Sequence, residues 1–222
     1  MTLQLYGYPI STCTLRIATV LKELNIPYEF HVVDIFKGEQ KLPAYTTKAP
    51  FGSVPYIVDT DGFTLFESRA ICRYLALKYE NENNRKLLPS PFKDPKAYAL
   101  FEQGASIEVT NFDPFASGAV FEIMFKPAFG VGEADHEAGK VLLAQLEKKL
   151  DVYETILSKQ KYIAGDELTL ADLFHLPYGA MLAKIGYDTL ETGANGKPNV
   201  ARWWKDITSR ASWQALKDGV SV

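Results

Sequence analysis

Two short stretches of the sequence hold side chains placed for chemistry. In Tyr8-Pro9-Ile10-Ser11-Thr12-Cys13-Thr14-Leu15-Arg16, Ser11 stands where a strand-like segment gives way to a helical period. A hydroxyl there either caps the helix or donates to an anion in the positive field of its N-terminus. Cys13 falls in the first turn of the same helix, where a thiol ionises more readily. The second stretch, APFGSVPYIVDTDGFTLFES from Ala49 to Ser68, opens a strand at Val54-Pro55 with a residue that cannot donate to a ladder. That bond is a candidate for the cis form. At the other end, Glu67-Ser68 precede the helical run Arg69-Ala70-Ile71-Cys72-Arg73-Tyr74-Leu75. Open backbone at Val54, close to a helix start able to hold an anion, suits a small extended peptide with a free carboxylate. His31, His136 and His175 have no metal-ligand spacing, and no serine-histidine-acid arrangement is suggested.

The elements that must position these residues follow from the pattern. Leu3 to Tyr6 reads as a strand, Ser11 or Thr12 opens a helix that Asn25-Ile26-Pro27 ends, and Tyr28 to Ile35 reads as a second strand. Strand, helix, strand in this span is a βαβ unit with a parallel pair. Tyr56-Ile57-Val58 and Phe63-Thr64-Leu65-Phe66, joined through Asp59-Thr60-Asp61-Gly62, form a hairpin. Lys37 to Lys41 is a polar loop or an irregular helix. Glu80 to Pro95 is polar, holds prolines and has no sustained period, so it marks a boundary. Beyond it, Lys96 to Phe125, Glu133 to Leu157, a segment starting at Thr169, Asn199 to Lys205 and Ser209 to Lys217 read as helices. The expectation is an α/β domain over residues 1–80, a linker over 81–95 and an all-helical domain over 96–222. Thr169 caps its helix with Asp172 reaching back to the cap amide, worth about 0.5–2 kcal/mol as caps usually are.

A formal charge of −3 without a basic run argues against nucleic acid as a partner. The 2 cysteines, Cys13 and Cys72, build no disulfide framework and suit a reducing compartment. Met1-Thr2 runs straight into the first strand, and no apolar run approaches the ~20 residues of a membrane span. A soluble, cytoplasmic protein is expected.

PFGSVP followed by LFESRAICRYLA resembles the glutathione-site half of a soluble glutathione S-transferase, most like the phi class. The element order of the first eighty residues resembles a thioredoxin-like domain. Gly165-Asp-Glu-Leu-Thr-Leu-Ala-Asp172 is similar to the family's folding motif, and Pro198 to Trp213 to its C-terminal helices. The resemblance implies that Ser11 donates a hydrogen bond to the sulfur of glutathione and favours its thiolate. It implies that Gln40 and Lys41 reach the glycyl carboxylate and that Val54 pairs its backbone with the cysteinyl moiety. Glu67 would meet the α-amino group and Ser68 the carboxylate of the γ-glutamyl end. Plant phi enzymes typically carry a glutamine where Ser53 stands, and a serine reaches less far toward the ligand.

The resemblance further implies a glutathione-dependent transferase for small hydrophobic electrophiles, with peroxide reduction as a related activity, no metal, and a homodimer. Phe51, on the loop ahead of Val54-Pro55, is the candidate key into a partner. The electrophile pocket is expected from Ile10, Thr12 and Phe36 on one side and Phe112 and Phe115 on the other. Two other functions fit the same site. One is a thiol transferase working through Cys13, although two residues turn it about 200° from Ser11 on the helix. The other is a non-catalytic, ligandin-like binding protein. Cys72, among apolar neighbours, reads as a small buried hydrophobe.

Overall fold

Strand β1 (Leu3–Gly7) alternates buried and half-buried positions, as a strand between two unlike layers must. In the computed structural model, which describes residues 2–79 and 86–221, it lies inside a sheet of order β2-β1-β3-β4. β2 (Tyr28–Val32) runs parallel to it, whereas β3 (Tyr56–Val58) and β4 (Thr64–Phe66) complete the sheet antiparallel. Leu5, fully buried, pairs with Phe30 on one side and Ile57 on the other. Ile17, Ala18, Val20 and Leu21 of α1 (Thr12–Glu23) and Ile71, Cys72 and Leu75 of α3 (Ser68–Lys78) form the buried layer of these two packed helices. On the sheet, Tyr6 stacks between His31 and Tyr56 at 4.4 and 4.6 Å between ring centres. Tyr56, with Val33, Tyr45 and Ala49, forms a separate small core.

β2 stops at Val32, short of the expected Ile35. The Asp34 carboxylate accepts the amides of Phe36 and Lys37 at 3.0 and 3.2 Å, which bends the chain out of the ladder. A 3-10 turn (Glu39–Lys41) and the short α2 (Pro43–Thr46) fill the connection to β3. The hairpin forms as its turn residues require, with Gly62 at φ 85°. The Val54–Pro55 bond is cis.

The second unit is helical: α4 (Pro95–Ile107), α5 (Asp113–Val120), α6 (Lys126–Ala128), α7 (His136–Leu157), α8 (Leu170–Leu173), α9 (Leu176–Lys184), α10 (Thr189–Thr192) and α11 (Pro198–Thr208). The helix expected from Lys96 to Phe125 is interrupted by π-turns at Glu108–Phe112 and Phe121–Phe125. Its core gathers Phe101, Leu146, Leu150, Phe174 and Trp203. Gly179 lets α9 close on α11, since a Cβ there would stand 2.2 Å from the Trp204 ring.

The division of the chain departs from the expected boundaries. Met1–Leu88 and Ala211–Val222 form one unit and Pro89–Arg210 the other, so α12 (Ala211–Gln214) and the tail belong with the sheet. Ser212 fastens the tail to α1 through a 2.6 Å hydrogen bond to Glu23, and Trp213 and Leu216 are buried. Glu80 to Arg85, where the expected linker begins, lie outside the described residues. Among the described residues no helix is long and apolar enough to cross a membrane, and no three His, Cys, Asp or Glu side chains group as a metal site.

Candidate active site

The turn between β1 and α1 is built from Tyr8 to Ser11. The Ser11 amide donates to the Tyr8 carbonyl at 3.0 Å, and the Ser11 carbonyl accepts the first helical bond from Leu15 at 2.8 Å. With Pro9 in the second position, this is a β-turn feeding directly into a helix. Ser11 is half-buried at the N-cap, with extended backbone (φ −62°, ψ 130°). Its hydroxyl makes no capping hydrogen bond to α1. Of the two roles open to a serine at this place, capping is therefore not the one used. The hydroxyl stands where the helix field favours an anion.

Gly7 brings the other half of the site to this turn. A Cβ on Gly7 would lie 2.5 Å from the Thr14 hydroxyl and 3.1 Å from Pro55. The end of β1, the first turns of α1 and the cis Val54–Pro55 bond are thus packed together. Val54 is half-buried beside the Val33, Tyr45, Ala49 and Tyr56 cluster. The loop before it is held from below: the Tyr45 hydroxyl donates to the Ser53 carbonyl at 3.0 Å, and Lys41 reaches the Phe51 carbonyl at 3.4 Å. Burial, with Tyr56 close by, pushes the Tyr45 hydroxyl far above its ordinary range and keeps it a donor. Lys41 is exposed, and its stem passes over Gly52, where a Cβ would meet Cδ at 2.9 Å. Gln40 donates to the Ile35 carbonyl at 3.3 Å, while its own side-chain oxygen is buried without a hydrogen-bond partner.

Glu67 and Ser68 begin α3. Glu67 is exposed and takes φ 70°, ψ 105°, a sparsely populated conformation for a residue with a Cβ. Strain of this kind, of order 1–3 kcal/mol, gathers where a ligand is gripped. Ser68 is buried, and its hydroxyl accepts a 2.9 Å hydrogen bond from the Arg16 guanidinium. Arg16 is 1% exposed and also donates to the Cys13 sulfur at 3.4 Å. It ties the helix that starts at Ser11 to the helix that starts at Ser68. No role was assigned to Arg16 from sequence. The signal was present: an arginine between Leu15 and Ile17 on a buried face needs a specific partner.

The candidate pocket residues divide. Ile10 and Phe36 are 55% and 59% exposed in the first unit, with the Tyr8 ring edge-on to Phe36 at 5.6 Å. Thr12 does not join them. It is buried in the first turn of α1. Phe112, also expected at the pocket, is fully buried between Tyr153 and His175, with ring centres at 6.4 and 4.7 Å. A ring closed in by core neighbours has no surface for a ligand. Phe115 is half-buried, with the Lys149 ammonium 5.8 Å from its ring centre. Burial pushes the Cys72 thiol up to about 12, which makes it inert, as a small buried hydrophobe is. Cys13 is half-buried and free of any disulfide.

Known proteins match this chain along nearly its whole length. Residues 10–78 fit the glutathione S-transferase N-terminal domain, and residues 112–211 the glutathione S-transferase C-terminal domain. Glutathione S-transferase PM239X14 of Arabidopsis thaliana is 48% identical over 205 residues, which is 92% of this chain and 90% of that one. The crystal structure of glutathione transferase F7 from Populus trichocarpa superposes with a TM-score of 0.89 at 38% identity, covering 100% of both chains. Glutathione S-transferase I from maize, in complex with an atrazine glutathione conjugate, superposes with a TM-score of 0.84 at 32% identity over 97% of this chain and 96% of that one.

Proposed function

Since the chain belongs to the glutathione S-transferase family, in its phi class, and is a glutathione transferase, we propose that Ser11 is the residue that holds the reactive sulfur. The supporting observation is a hydroxyl at the N-cap of α1 that caps nothing there. Ser11 stays protonated throughout and donates to the thiolate. Together with the helix field, that hydrogen bond lowers the thiol pKa of bound glutathione, and the released proton passes to water. The thiolate then attacks the electrophile. A carbon–sulfur bond forms as the leaving group departs with its electron pair, or as a double bond shifts its electrons to an activating group. Ile10, next to Ser11 in the chain, and Phe36, against the Tyr8 ring, offer exposed apolar surface for a small hydrophobic electrophile.

The rest of glutathione is placed by the same unit. Val54 pairs its backbone with the cysteinyl moiety, next to the cis proline. The amide at the start of α3 and the Ser68 hydroxyl, held by Arg16, receive the γ-glutamyl carboxylate, and Glu67 receives the amino group. Lys41, with Gln40, serves the glycyl carboxylate; Ser53 contributes to the same loop. The protein works in the cytoplasm as a homodimer.

Ser11→Ala tests the central assignment. Turnover with an activated aryl halide should fall at least about tenfold, or 1.4 kcal/mol. The ultraviolet thiolate band of bound glutathione should move to higher pH. If band and turnover both survive, Ser11 does not hold the sulfur. A mixed disulfide of glutathione on Cys13 during turnover would instead favour thiol transfer through that residue.

A further inference from the structure

We propose that the C-terminal tail is a positioning device for Ser11, acting through a hydrogen bond from the Val220 amide to the Pro9 carbonyl. The bond measures 3.0 Å. In the Tyr8–Ser11 turn, the Tyr8 carbonyl is used by the Ser11 amide, and the Pro9 carbonyl faces outward from the turn. The tail supplies its donor. Val220 is buried at 4% exposure, and Leu216 at 1%. Gly219 makes the approach possible. It sits at φ 105°, and a Cβ there would lie 3.2 Å from Ile10 and 3.3 Å from the Pro9 carbonyl oxygen. The tail is anchored once more, by Ser212 on Glu23 at 2.6 Å, and is itself turned by the Gly219 amide donating to the Leu216 carbonyl at 2.9 Å. The turn that aims the Ser11 hydroxyl is therefore clamped at the carbonyl of its first central residue, Pro9, by a segment more than two hundred residues away in sequence.

A turn of this type is held by one internal hydrogen bond, so removing the clamp frees the Pro9–Ile10 peptide plane to reorient about Pro9 ψ and Ile10 φ, and lets the hydroxyl wander from the sulfur. The proposal rests on Ser11 as the thiolate donor. It predicts a defect in thiolate stabilisation, with glutathione affinity carried elsewhere.

Val220→Pro deletes the donor. At saturating glutathione, the acid limb of the kcat profile should move to higher pH, and turnover below that limb should fall roughly three- to tenfold. The glutathione Kd should stay within about twofold. Val220→Ala, which keeps the N–H, should show the wild-type acid limb whatever it does to the thermal midpoint. If Val220→Pro does not fold, Gly219→Ala carries the comparison, because its Cβ strains the backbone and pushes on the Pro9 carbonyl. An acid limb that superimposes on wild type in the folded variant overturns the clamp, as does an equal shift in Val220→Ala. If Ser11→Ala leaves the limb in place, the Ser11 assignment fails first and takes the clamp with it. A limb that moves in Ser11→Ala and not in Val220→Pro sinks the clamp alone.

Discussion

At Asp59 four donors converge on one buried carboxylate. The hydroxyls of Tyr74 and Tyr79 lie at 2.5 Å, the Lys78 ammonium at 2.8 Å and the Thr60 amide at 2.6 Å. Burial pushes the Asp59 carboxyl up, but the hydrogen bonds from Lys78, Tyr74, Tyr79 and Thr60 together outweigh it and hold the group well below the usual carboxylate range. A folded-state pKa below the unfolded one adds stability above about pH 4 and loses it as pH falls from there through the lowered value. Asp59→Asn should therefore be less stable than wild type by about 1.5–3 kcal/mol near pH 7, with a narrower gap at about pH 3, where the unfolded carboxyl is already mostly protonated. Urea unfolding at the two pH values measures it. An equal gap at both would mean that the carboxylate charge contributes nothing. The consequence reaches the proposed site, because this cluster fastens the hairpin turn after β3 to the far end of the helix that begins at Ser68.

Helix α8 is only four residues long, yet it anchors the second unit. Its capping box forms as the sequence predicts: the Thr169 hydroxyl accepts the Ala171 amide, and Asp172 accepts the Thr169 amide at 3.0 Å. Asp172 also takes the Ile163 amide at 2.9 Å and the Trp203 indole at 3.0 Å. One fully buried side chain thus joins α8, the preceding loop and α11. The cap value of about 0.5–2 kcal/mol then applies to Thr169 alone. Asp172→Ala leaves several buried donors unmet and should cost at least about 3 kcal/mol. The thermal midpoint should drop by roughly 6–12 °C. If it drops no further than that of Thr169→Ala, the extra bonds are ornamental.

For the whole molecule, the open question of partners turns on Phe51. Its side chain is 73% exposed on the loop before Val54, with the Phe66 ring edge-on to it at 6.1 Å between centres. Tucked into its own unit it is not. An aromatic ring so exposed suits an anchor in a partner's pocket. Two chains of 24.8 kDa should sediment together at about 50 kDa. Phe51→Ser should shift that species measurably toward monomer at micromolar concentration. A wild-type monomer would refute the dimer, and a dimer indifferent to the substitution would refute only the role of Phe51.

Local chemistry alone determined the strand–helix turn at Ser11, the hairpin through Gly62, the helix start at Ser68 and the cap at Thr169. In each, a few adjacent residues carry the whole signal, because turns, caps and periodicities are short-range. The N-terminal α/β and C-terminal helical classes were legible for the same reason. Tertiary structure decided what depends on partners distant in sequence. The family resemblance makes Phe112 a pocket wall, but His175 and Tyr153 enclose it, and Thr12 is buried. The Arg16 bridge to Ser68 spans the helices that begin at Ser11 and Ser68 and has no local pattern beyond an arginine on a buried face. The tail from Ala211 reads as the end of a helical domain, since its composition is helical. It belongs with the sheet because Trp213, Leu216 and Val220 find their burial there, and only the folded chain brings Val220 to Pro9.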